Sequence, residues 1–206
     1  MDNFELIMRK GGAAALEEVG RFFMGTDPVH RALRAITTRL EDLKIPYAVV
    51  GGMALVAHGY DRTTADVDIL VTPAGLADAL RQLEGLGYVR PFRDSKNLRD
   101  TSTGVRIEFL VSGNFPGDGK PKPVAFPDPA TVAVEKDGIR YLGLSALVEL
   151  KLASGMTAPH RLKDLADVQE LIKAISLPND FAQNLNPFVR DKFLELWQSV
   201  QQADEE

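Results

Sequence analysis

The stretch YAVVGGMALVAHGYDRTTADVDILV, residues 47–71, constrains the fold most. Tyr47 to Val50 is a short apolar run stopped by Gly51 and Gly52, which predicts a buried strand turning directly into a helix from Met53 to Ala57. Val67 to Val71 is a second apolar run, closed by Thr72-Pro73. Asp66 and Asp68 stand two residues apart at its start. Side chains alternate along a strand, so both carboxylates leave one face, roughly 7 Å apart at their Cα atoms, and Val67, Ile69 and Val71 leave the other. Two like charges so placed repel and raise each other's pKa. A cation between them removes that cost. Hard oxygen ligands on a rigid strand suit Mg²⁺, which takes one or two protein carboxylates and leaves its other positions to phosphate and water. Gly51 and Gly52 let backbone N–H groups approach a phosphate at a helix start. A phosphate cradle followed by an acidic pair implies a nucleoside triphosphate with its metal.

The surrounding pattern predicts an α+β chain. Residues 1–25 read as helix in two pieces, interrupted at Gly11 and Gly12. Asp27-Pro28 reads as an N-cap with proline at the first helical position, ahead of a helix with Val29, Leu33, Ile36, Leu40 and Leu43 on one face. Residues 74–86 form another, with Leu76, Leu80 and Leu83 aligned. In Val105 to Val111, Val105, Ile107, Phe109 and Val111 point one way and Arg106, Glu108 and Leu110 the other. Residues 112–129 carry Pro and Gly throughout and form a long irregular loop, a kind that is often functional. Thr131 to Glu135 and Ile139 to Leu142 flank Lys136-Asp137-Gly138 as a hairpin. Ser145 to Ser154, Arg161 to Ile175 and Pro187 to Val200 are helical. Strands followed by helices suggest a helical extension at 1–25, a core at 26–143 and a helical region at 144–206.

Composition narrows the function. The 206 residues contain no Cys, which excludes disulfide scaffolds, zinc–thiolate sites and Cys nucleophiles. A formal charge of −5 argues against a general nucleic-acid coat. There is no signal-peptide pattern and no stretch of about 20 uncharged apolar residues, so a cytoplasmic protein with no membrane span is expected. There is no Walker A loop and no dinucleotide-binding glycine fingerprint.

The residues quoted above resemble the nucleotidyltransferase superfamily that includes DNA polymerase beta. They are most similar to its bacterial minimal and abortive-infection types. The likeness lies in Gly51-Gly52, Gly59, Arg62-Thr63-Thr64 and Asp66-Val67-Asp68, with 13 residues between the second glycine and the first aspartate. It is strongest over residues 45–72 and weaker toward Glu108 and the helices at 144–172. The resemblance implies a small, mixed, twisted sheet with flanking helices and a C-terminal helical bundle closing one side of a cleft. It implies that Asp66 and Asp68 hold metal, two Mg²⁺ ions with Mn²⁺ as an alternative. Glu108 would serve as third carboxylate, binding the second metal or accepting the proton of an attacking hydroxyl. The reaction would move a nucleoside monophosphate from ATP or another triphosphate to a hydroxyl acceptor and release pyrophosphate. Gly51, Gly52, Arg62, Thr64 and Lys151 would bind nucleotide, and Arg161, Lys163, Asp164 and Asp167 would line or brace the site. Two departures stand out. Gly52-Met53 offers no hydroxyl where many members have Ser, and Glu108 replaces the more common Asp.

Several residues have plainer readings. Lys151 falls on an apolar face, where a buried ammonium needs a partner, and could bridge to Asp164 or Asp167 instead of touching phosphate. Arg62 could pair with a carboxylate. Leu162, Leu165 and Val168 are expected to face a core. His30, His58 and His160 show no metal spacing. Phe22, Phe23 and Met24 could dock on the core or form a dimer interface, so monomer and homodimer both stand. Residues 90–122 carry seven cations against four anions, which fits a groove for RNA or another acidic acceptor, or a solvated hairpin and loop. The acceptor could be RNA, a protein or a small alcohol. The rival functions are a catalytically inactive relative acting as a nucleotide- or protein-binding regulator of toxin–antitoxin type, and a docking module built on the helical half.

Overall fold

The computed structural model describes residues 11–204. The first piece of the expected N-terminal helix lies outside these residues. Its second piece is α1 (Gly12–Phe23). Phe22 is buried in the core, while Phe23 and Met24 are exposed. Helix α2 (Pro28–Asp42) starts as its sequence dictates: the Asp27 side chain accepts from the backbone N–H of Val29 at 2.7 Å and of His30 at 3.3 Å.

A short turn leads to β1 (Tyr47–Val49), α3 (Gly51–Ala57) and β2 (Asp66–Val71). Helix α4 (Pro73–Leu83) follows, capped by Thr72, then β3 (Tyr88–Val89), β4 (Leu98–Asp100) and β5 (Arg106–Val111). The sheet has seven strands in the order β3-β4-β5-β2-β1-β7-β6, where β6 is Ala133–Lys136 and β7 is Ile139–Leu142. It is mixed: β2 runs parallel to β5 and β1 to β7, and the other neighbours are antiparallel. The inward sides of β2 and β5, with Val67, Ile69, Ile107 and Phe109, are fully buried. Helices α2 and α4 pack against β2.

Three local expectations change. Thr131 and Val132 are not strand but part of a one-turn helix, α5 (Pro129–Val132), because Asp128 caps it and Pro129 occupies its first turn. Strands β3 and β4 have two and three residues, too short to show a local pattern, and exist through pairing, β4 to β5 and β3 to β4. Leu162 does not face the core. It is 66% exposed at the start of α7 (Leu162–Ala174), and Val168, Leu171 and Ile172 carry the buried stripe.

The C-terminal helices α6 (Leu144–Thr157), α7 and α8 (Pro187–Asp204) pack on one another. The irregular loop after β5 is fastened to them. Gly117, at φ +73°, lies so close to α6 that a Cβ there would sit 2.8 Å from the Ser154 carbonyl oxygen. The Asn186 side chain donates to the Pro123 carbonyl at 3.3 Å. Among the described residues no helix is long and apolar enough to cross a membrane.

Candidate active site

Strand β2 alternates as the sequence predicts and carries Asp66 and Asp68 outward. Its parallel neighbour β5 does the same with Arg106, Glu108 and Leu110. The register sets Asp66 opposite Arg106 and Asp68 opposite Glu108. The two acidic strands thus form a two-by-two array of side chains on one face. Facing it is a cleft of about 580 Å³, walled on the far side by α6 and α7.

Gly51 and Gly52 lie at the cleft edge, where β1 ends. Gly51 has φ +61°, and both residues are crowded. A Cβ on Gly52 would lie 2.9 Å from the Thr64 hydroxyl oxygen. That hydroxyl stands against the glycine turn at the point where the chain lacks a serine.

The floor near α6 is an ion-pair network. Lys151 Nζ donates to Asp164 Oδ1 at 3.0 Å and to Asp167 Oδ2 at 2.7 Å. Asp164 Oδ2 also accepts from Ser154 Oγ at 2.7 Å and from Arg161 Nε at 2.9 Å. Arg62 Nη1 reaches both oxygens of Asp167, at 2.7 and 2.8 Å. Burial alone would raise the Asp164 carboxyl, but the Lys151 charge and the Ser154 and Arg161 contacts outweigh it and hold it below its ordinary value. Arg62 therefore pairs with a carboxylate of α7, not with the strand pair, and ties the segment before β2 to the helical region. Lys151 bridges α6 to α7.

All twelve sequence-predicted site residues line this one cleft: Asp66, Asp68, Glu108, Gly51, Gly52, Arg62, Thr64, Lys151, Arg161, Lys163, Asp164 and Asp167. The structure adds Arg106, Ser154, Pro116, Gly117 and Phe126. Arg106 was signalled by its parity with Glu108, and Ser154 by its place one turn after Lys151. Of the seven cations between residues 90 and 122, Arg106 lines the cleft. Arg90 pairs with Glu84, Arg99 donates to the Gly104 carbonyl and Lys122 pairs with Asp118, so they are engaged locally. His58 Nε2 donates to the Leu142 carbonyl oxygen at 2.8 Å, outside the cleft.

The strand carboxylates are unevenly compensated. Burial first, then the charges of Glu108 and Asp66, push the Asp68 carboxyl up to about 7. Arg106 bonds Glu108 directly and lies 3.6 Å from Asp66. The three carboxyl groups, with one cation bonded to Glu108 and near Asp66, are hard ligands of the type a divalent ion takes. Among the described residues, no three His, Cys, Asp or Glu side chains are grouped closely enough to hold a metal ion.

The fold is shared with known structures. ANT(2")-Ia in complex with adenylyl-2"-tobramycin superposes with a TM-score of 0.51 at 12% identity, covering 84% of this chain and 97% of that one. A protein from Thermotoga maritima described as a nucleotidyltransferase gives 0.48 at 21% identity, with 66% and 89% covered. One from H. pylori gives 0.44 at 17%, with 83% and 91% covered. No curated protein matches the chain. Residues 24–190 match the family described as uncharacterised nucleotidyltransferase, which spans the sheet, the cleft and the helices that wall it, and the chain belongs to that nucleotidyltransferase family.

Proposed function

We propose that the protein transfers a nucleoside monophosphate from a nucleoside triphosphate to a hydroxyl acceptor, with divalent metal and release of pyrophosphate. The observation that carries this reading is the matched register of Asp66, Asp68 and Glu108 on one sheet face, opposite a cleft edged by Gly51 and Gly52. Asp66, Asp68 and Glu108 would hold Mg²⁺. A bound divalent ion would supply Lewis-acid stabilisation of charge on the entering and leaving oxygens.

The chain's own groups divide the remaining work. The glycine turn and the Thr64 hydroxyl face the polyphosphate. Lys163 and Arg161, at the rim, supply positive charge to it. Glu108 accepts the proton of the attacking hydroxyl as its oxygen bonds the α-phosphorus and the bond to the pyrophosphate oxygen breaks. The Lys151–Asp164–Asp167–Arg62 network holds the two cleft walls at fixed separation, so that the reacting groups are presented without reorganisation.

The test is pyrophosphate release from labelled triphosphates with Mg²⁺ and three acceptor pools: bulk RNA, protein and small alcohols. Asp66→Ala and Asp68→Ala are expected to abolish metal-dependent nucleotide binding while the circular dichroism spectrum is unchanged. Equal affinity in wild type and both variants would overturn the site assignment.

A second reading is favoured by one observation. Arg106 already pairs with Glu108 and stands 3.6 Å from Asp66, as it would in a relative that binds nucleotide as a regulator without turning it over. It predicts a nucleotide-dependent rise in melting temperature with no pyrophosphate.

A further inference from the structure

Arg106 is the cleft residue whose position the proposed chemistry leaves unexplained. An arginine on the polar face of a strand ordinarily extends its head into water. Here the head turns back onto acidic side chains, although the side chain stays 40% exposed. The guanidinium bonds Glu108, two residues along its own strand, and faces Asp66 across the strand boundary. Its Nε–H is buried with no acceptor. A buried unpaired donor costs free energy, so the pose is held by the two carboxylates and not by the arm's own fit. The charge centre sits where two carboxylates on adjacent strands converge. That is the position a divalent ion would need in order to take oxygens from both.

Resting on the nucleotidyltransferase reading, we propose that Arg106 is a displaceable counter-ion that holds the divalent-ion position between Asp66 and Glu108 until metal arrives together with a polyphosphate. Guanidinium and metal compete for the same carboxylate oxygens. Bare metal must evict the arm with nothing to receive it. A metal–triphosphate brings fresh anionic oxygens on which the released guanidinium and its unpaired Nε–H can settle. Arg106 is thus a specificity-determining residue that favours the loaded metal–nucleotide over the metal alone. Its apparent cost to metal binding follows from the fraction of chains in which the arm is displaced.

The test measures Mn²⁺ binding to the protein without nucleotide, by electron paramagnetic resonance, in wild type, Arg106→Gln and Arg106→Lys. Removing the guanidinium is expected to tighten Mn²⁺ binding about threefold to tenfold, with Arg106→Lys between the two. Adding α,β-methylene-ATP is expected to tighten Mn²⁺ binding in wild type more than in Arg106→Gln. Equal or weaker Mn²⁺ binding in a folded Arg106→Gln protein overturns the counter-ion role and leaves the transferase reading standing. Absence of Mn²⁺ binding in all three proteins, with and without nucleotide, overturns both. Should Arg106→Gln fail to fold, Arg106→Lys decides, since a point charge grips the two carboxylates less well than a fork of donors.

Discussion

A methyl group on Gly51 would lie 1.9 Å from Oδ2 of Asp68. The glycine that opens α3 thus leaves free the space that the Asp68 carboxylate takes, and each sets the other's position. Gly51 also has φ +61°, a conformation costly for a side chain. Gly51→Ala is expected to destabilise the fold by about 2–3 kcal/mol and to displace the Asp68 carboxylate. Part of that loss is mutual. In a double-mutant cycle measured by urea denaturation, Gly51→Ala in the Asp68→Ala background should cost less by about 1 kcal/mol. Additive losses would mean that backbone strain alone carries the effect.

The Asp68 carboxyl has a second consequence. Its folded value, about 7, lies above the ordinary aspartate value of 3.8, because burial and the Glu108 and Asp66 charges disfavour the anion. Between those two values the folded state binds the proton that the unfolded state has released. This group's contribution to stability therefore falls as pH rises from about 4 to about 7. Asp68→Asn removes the penalty. The variant should equal wild type near pH 4 and exceed it by about 1–2 kcal/mol at pH 8 once solvent screening is allowed for, read from denaturation midpoints without metal.

Asp167 accepts from both Arg62 and Lys151 and is itself buried. Asp167→Ala strands Arg62 at the cleft floor and leaves Lys151 with Asp164 alone. Arg62→Ala leaves Asp167 still bound to Lys151. The first should cost about 3 kcal/mol and the second about 1 kcal/mol in thermal or chemical denaturation. A larger loss from Arg62→Ala would locate the network's main strength in the segment before β2.

At the other end of the core, Asp27 caps α2 and holds His30 Nδ1 at 2.5 Å. Burial raises its carboxyl, but the hydrogen bonds and charge of His30 and the Val29 N–H outweigh that and lower it. Its stabilisation is complete above about 4 and is lost as pH falls through the depressed folded value. Asp27→Ala should cost about 1–2 kcal/mol at neutral pH. Asp27→Asn should cost less, because the amide oxygen still caps the helix. The gap between wild type and Asp27→Asn should close on acidification, a trend that denaturation at a series of pH values would read.

The local elements were legible because the signals for them are local. Alternation marks which sides of β2 and β5 are buried, and so puts Asp66, Asp68 and Glu108 on the polar faces of their strands. Asp27-Pro28 marked the start of α2, and Gly51-Gly52 the strand-to-helix turn. Asp66, Asp68, Glu108, Lys151, Asp164 and Asp167 reached one cleft because each sits on a strand or helix whose periodicity repeats over several residues, while Arg62 and Thr64 lie in the segment between α3 and β2.

Other features arise only between elements. Strands β3 and β4 carry no pattern of their own and form because β5 offers an edge to β4, and β4 one to β3. Leu162 fits a helical apolar stripe, yet it stands at the first position of α7 and is 66% exposed. Lys151 could have met phosphate or carboxylate, and the packing of α6 on α7 put Asp164 and Asp167 within its reach. Above all, the sequence put Arg106 on the same face as Glu108 but could not show that β5 lies parallel to β2 with Arg106 beside Asp66. The residues themselves determined which groups are polar, which are buried and which share a strand face, since backbone geometry repeats at short range. Tertiary structure alone decided which charge stands next to which, because register and helix docking are set by the packing of residues far apart in the chain.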